Sequence, residues 1–175
     1  WKIAGRAGAV FKSEGLLHRW CLAELFLASM LLDEGHHERA LARVTRAIRE
    51  LKAEEHPIVF FHAESLQGRI LRALGRLADA YAAFERAAGL LESIRFRLAG
   101  DELKVAFVQN KLQVYENLML LAHELLPPIV REKAMFDFIE RSKSRSLADR
   151  VASVPETAQQ PLAASPEFLT VRQEL

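Results

Sequence analysis

The chain has 175 residues, half of them hydrophobic and about a quarter charged, which suits one domain with a sizeable core. With 24 basic against 23 acidic side chains the formal charge is only +1, so no global field attracts nucleic acid or anionic lipid. Cys21 is the single cysteine, which excludes an internal disulfide and points to a reducing compartment, so a cytoplasmic location is expected.

No uncharged apolar run is long enough to span a bilayer. The greasiest stretches, around Leu22–Leu32 and Leu118–Leu126, are interrupted by Glu24, His123 and Glu124. No signal-peptide pattern is read at the start of the chain, so none is expected. The chain begins at Trp1 and ends within a helical pattern, so it reads as a piece of something longer.

Residues 1–14 form a first predicted helix, with Ile3, Ala7, Val10 and Phe11 on one side and Gly15 as its stop. It is taken as the second helix of an earlier repeat. From Leu16 to Glu34 the pattern is apolar nearly all round, which predicts a helix covered on both flanks. Glu38 to Ala53 is amphipathic: Ala40, Leu41, Val44, Ala47, Ile48 and Leu51 form the buried stripe, and Arg39, Arg43, Arg46 and Glu50 face water. Pro57 opens the next helix, to Leu74. Leu77 to Leu98 follows, with Ala80, Phe84, Ala87, Leu91, Ile94 and Leu98 inward.

Gly100 and Asp101 read as a stop and a new N-cap. Leu103 to Leu126 is one long helix with Phe107, Leu112, Tyr115, Leu118, Met119 and Ala122 inward, broken at Pro127-Pro128. A last helix, about Val130 to Ala152, buries Ala134, Phe138 and Ile139. Residues 153–166 are linker-like, rich in Pro, Gln, Ala, Ser and Thr, and 167–175 start a truncated helix behind Ser165-Pro166.

One pattern recurs within this order. Gly35, Ala40, Val44 and Ala47 return forty residues later as Gly75, Ala80, Phe84 and Ala87. Glycine opens a turn, alanines let helices approach, and the bulky residue fills the gap between them. Units of this kind cannot bury their apolar faces alone and must stack. The expected fold is therefore all-α, an α-α superhelix of about seven helices over residues 1–152.

Residues Leu16 to Glu92 resemble two tetratricopeptide repeats, with Gly68 at the family's first-helix glycine. They depart from it in a period of forty and in Glu24 and Glu64 at the position of the first-helix tryptophan. The C-terminal part carries Glu92-Ser93-Ile94-Arg95, Phe107, Lys111, Val114-Tyr115, Ala134, Phe136 and the run Glu140 to Leu147. It is similar to the segment preceding the caspase-like CHAT domain in bacterial proteins that join these repeats to that domain. Its catalytic residues would lie outside this chain.

In that family the first helices line a concave groove. The resemblance carries groove positions to Leu22, Leu25, Ser29 and Leu32, to His62, Ser65, Arg69 and Arg72, and to Gln113, Glu116, Leu120 and His123. The polar set His62, Ser65, Arg69, Arg72, Gln113, Glu116 and His123 is the candidate partner-binding surface, with Arg69 and Arg72 suited to a carboxylate. The Glu140–Leu147 run reads equally as a docking surface for a following domain or as the exposed side of a capping helix.

Other constellations are bland. His36-His37, with His18, His56 and His62, lacks a ligand spacing for metal. Cys21 on its apolar helix is a packing residue. The Arg39, Arg43, Arg46 row lacks aromatic platforms for nucleic acid. No phosphate loop, G-x-S-x-G or H-E-x-x-H occurs, and no acid–base set converges.

The expectation is a non-catalytic interaction module without cofactor or metal, not directed to nucleic acid or membrane. It would bind a peptide or partner domain, including the C-terminal domain of its own polypeptide. The alternative is an effector-sensing helical-repeat domain of a bacterial transcription regulator.

Overall fold

The computed structural model describes the backbone of residues 2–97 and 112–152, and the side chains of 4–94 and 112–141. Among them lie seven helices and no strand: α1 (Lys2–Ser13), α2 (Leu17–Asp33), α3 (His37–Glu50), α4 (Pro57–Ala73), α5 (Leu77–Arg97), α6 (Leu112–Leu125) and α7 (Pro128–Ala152). The fold is all-α. None of these helices is long and apolar enough to cross a membrane.

Two helical hairpins, α2/α3 and α4/α5, turn in the same way. Gly35 and Gly75 sit at φ +79° and +74°, a left-handed region open to glycine without strain. In the first turn the Gly35 N–H donates to the Leu32 carbonyl (3.0 Å) and the His36 N–H to that of Leu31 (2.7 Å). Gly75 and Arg76 repeat this on Arg72 and Leu71. The free carbonyls at each helix end are thereby satisfied. Gly15 joins α1 to α2 with the same pair of bonds, unlike the longer stretch 51–56 between α3 and α4.

Helix ends differ from the expected ones in two places. The third helix stops at Glu50, because Leu51 turns extended (ψ 142°) and packs into the core rather than continuing to Ala53. Pro128 does not merely break the chain but occupies the first position of α7, where a missing N–H costs nothing. The Pro127 carbonyl accepts from Arg131 at 2.9 Å. Gly100, Asp101, Phe107, the linker 153–166 and the segment 167–175 lie outside the described residues.

Each helix packs on its chain neighbour, and α2 also touches α4 directly. One buried cluster gathers Trp20, Cys21, Ala28, Leu31, Ala40 and Val44 with Ala63, Leu66 and Ile70 of α4. A second gathers Phe61, Leu71, Ala80, Phe84 and Ala87 with Tyr115, Leu118, Leu121 and Phe138. Helix α4 contributes to both, and Leu41 packs against both.

The recurring alanines Ala40, Ala47, Ala80 and Ala87 are sealed. At the α4–α5 crossing the Phe84 ring lies so close to Gly68 that a Cβ there would meet it at 2.8 Å.

Helix α2 is packed against α1, α3 and α4 as expected, yet one stripe of it stays open. Phe26 is 58% exposed and Leu22 is also exposed, whereas Leu66, forty residues on from Phe26, is 7% exposed. Leu66 packs in the cluster that α2 supplies. No described helix covers Phe26 in that way. Leu112 is likewise exposed on α6 rather than inward.

Candidate functional site

The first helices of the hairpins, α2 and α4, together with α6, enclose two connected hollows. The narrower, of about 280 Å³, has an apolar side built from Leu25, Phe61, Leu66, Phe84 and Val114. Its polar side carries Ser29, His62, Ser65, Arg69, Gln113 and Asn117. The wider, of about 460 Å³, is bounded by Leu32, Arg69, Arg72, Ala73, Gln113 and Asn117. Arg69, Gln113 and Asn117 line both, so the two make one trough along α4.

Helical spacing explains the lining. His62, Ser65, Arg69 and Arg72 recur at three- and four-residue steps and therefore share one face of α4. Ser65 Oγ is buried, with no hydrogen-bond partner among the described residues. The His62 ring stands edge-on to Phe61, with centroids 5.3 Å apart. Arg72 Nη1 donates to Asn117 Oδ1 at 2.8 Å, and Asn117 Nδ2 donates to the Gln113 carbonyl at 2.7 Å. The trough is thus tied across from α4 to α6.

Of the twelve positions the resemblance nominated, Leu25, Ser29, Leu32, His62, Ser65, Arg69, Arg72 and Gln113 line these hollows. Leu22, Glu116, Leu120 and His123 are exposed but outside them. His123 instead has its Nδ1 3.1 Å from Arg131 Nη1. On α6 the trough is met by residues one turn apart, 113 and 117, so Asn117 takes the place expected of Glu116. The signal for it was available: an i, i+4 step from Gln113 rather than a fixed offset from α4.

The glutamates at the tryptophan position have a physical explanation. Glu24 is 5% exposed and pairs with Arg43 (2.9 Å) and Arg46 (2.6 Å). Glu64 is 3% exposed and stands 2.9 Å from Arg86, close enough to pair though not aligned as a hydrogen bond. Both pairs bind first helix to second within one hairpin, and both span twenty-two residues, 24 to 46 and 64 to 86. Arg43 and Arg46 are therefore turned onto Glu24 rather than simply facing water. Arg46 also lies 5.4 Å from the centroid of the Trp20 ring.

Cys21 is fully buried. Burial, and then the charges of Glu50 and Glu24, push its thiol up to about 11, so it is protonated at neutral pH and unsuited to nucleophilic chemistry. The His18 and His56 rings lie 5.4 Å apart. No group of three or more potential metal ligands gathers among the described residues. The Glu140–Leu147 run lies on α7, and its side chains beyond Arg141 are outside the described residues.

No protein-family model, curated protein or solved structure matches the chain.

Proposed function

We propose that the chain is a tetratricopeptide-like superhelix acting as a non-catalytic interaction module, whose trough along α4 takes a peptide or a partner domain. The observation that carries this reading is the convergence of three helices on one polar-and-apolar trough, eight of whose lining residues are ones the resemblance nominates. Such a surface offers hydrogen-bond and ionic groups beside apolar depth, the combination peptide recognition uses. The similarity of residues 92–147 extends the proposal to regulation of a CHAT-type effector domain. A ligand that favours one curvature of the helical stack would shift that balance.

The effector-sensing alternative is less well supported. Drug-sized ligands occupy clefts or cavities of roughly 300–1,000 Å³ that bury most of their surface. Here the narrower hollow opens into its wider neighbour along α4, an elongated shape better suited to an extended segment with one side chain in the narrower part.

A photo-crosslinking residue at Gln113, compared with one at exposed Arg49 on α3, tests the groove. Capture of a defined partner segment from Gln113 alone is expected. Equal capture from both positions would defeat the reading.

A further inference from the structure

The class of segment taken by the trough can be argued from its arginines, an inference that rests on the groove reading above. Some guanidinium groups of the two hairpins meet carboxylates: Arg43 and Arg46 on Glu24, Arg76 on Asp79 and Arg86 on Glu64. Arg69 and Arg72 have no carboxylate within ion-pair distance among the described residues. Arg72 is instead held by the neutral amide of Asn117, itself anchored to the Gln113 carbonyl. That bond aims the guanidinium without neutralising it. Two cations without a carboxylate partner among the described residues, Arg72 aimed by Asn117 and Arg69 exposed one turn away, therefore adjoin the apolar depth formed by Phe61, Leu66 and Val114.

We propose that the trough takes an acidic peptide segment, with one apolar side chain in the narrower hollow and a neighbouring carboxylate on Arg69 and Arg72. Arginine presents paired donors that match a carboxylate, and such charge-assisted bonds are about twice as strong as neutral ones. Asn117 acts as a positioning residue: it sets the direction of Arg72 and leaves its charge available. Replacing it with aspartate keeps the size and supplies Arg72 with an internal carboxylate, but gives up the bond to the Gln113 carbonyl, because a carboxylate has no N–H to donate. Asn117→Asp should then remove the acidic preference while the helical circular-dichroism signal stays in place.

The probe is a fluorescein-labelled peptide of one leucine flanked by glutamates, read by fluorescence polarisation. Two relatives accompany it, one with glutamine for every glutamate and one with alanine for leucine. The acidic leucine peptide should bind at least about tenfold tighter than the glutamine version and weaken as salt rises. Arg72→Gln and Asn117→Asp should each cost about tenfold, with the helical circular-dichroism signal of Asn117→Asp unchanged and Arg49→Gln without effect. Alanine for leucine should also weaken binding.

Equal binding of the glutamine version overturns the proposal. So does an absence of acidic preference up to millimolar peptide, or an Asn117→Asp chain that binds like the original. Crosslinking separates this failure from that of the groove itself. A partner segment captured at Gln113 that carries no acid defeats the charge assignment alone, whereas equal capture at Gln113 and Arg49 defeats the groove.

Discussion

Glu24 and Glu64 hold equivalent places forty residues apart, and each is nearly sealed from water beside an arginine of the following helix. A carboxylate in that setting is tolerable only while paired, because desolvation of an isolated charge costs several kcal/mol. The two partners are not symmetric. The Arg86 side chain is half in solvent, so losing Glu64 leaves a cation that water can reach, while losing Arg86 leaves a buried anion. Arg86→Ala should therefore destabilise the chain by about 2–3 kcal/mol in urea unfolding. Glu64→Leu combined with Arg86→Met should be close to neutral, since an apolar pair of similar size removes both desolvation penalties. An equal loss in both variants would show that packing, not charge, sets the cost. The sequence exposes these glutamates as departures on an apolar helix face. Their partners required the fold, although the shared spacing of twenty-two residues was visible to anyone comparing the two repeats.

At the scale of the helix pair, the repeats solve one packing problem with different residues. In the second hairpin Gly68 admits the Phe84 ring, and in the first the positions forty residues earlier are Ala28 and Val44. The added methyl on α2 thus goes with a smaller side chain on α3. Gly68→Ala gains about 1 kcal/mol of helix propensity but drives a Cβ to 2.8 Å from a sealed ring, and overpacking of that kind costs about 1–3 kcal/mol. The steric term prevails, so the single variant should unfold at lower urea. Adding Phe84→Val recreates the Ala28–Val44 combination. The double variant should be more stable than the sum of the single effects by at least about 1 kcal/mol, and strict additivity would refute the exchange.

Helix order and both hairpin turns were legible because glycine, proline and alanine spacing report local geometry directly. The end of α3 was not, because Leu51 leaves the helix to fill the core. Nor was the register of α6. Glu116 and His123 follow from carrying α4's spacing across a looser third unit, whereas α6 meets the trough through Gln113 and Asn117.

Across the molecule, helices serve neighbours in chain order, and α4 alone among them supplies large residues to both buried clusters. Stability in such an arrangement is close to a sum of unit and nearest-neighbour contributions rather than one indivisible quantity. Helix α7 leaves Ile129, Val130 and Phe136 exposed, and α1 is flanked by α2 alone among the strongly packed pairs. Amide exchange should thus be slowest in α4 and α5 and fastest in α1 and α7. Phe84→Ala gives the sharper test, because Phe84 belongs to one cluster only. Truncating a sealed phenylalanine costs about 3–5 kcal/mol, which lowers protection in α4, α5 and α6 by a factor of about a hundred to a few thousand. Helices α2 and α3 touch that cluster through Leu41 and the α4 seam, and should lose about tenfold or less. If protection in α2 and α3 instead fell as far as in α5, the chain would be a single cooperative core. The trough along α4 would then lie on a rigid body rather than on a joint between two units, and ligand-driven changes of curvature would have no soft seam on which to act.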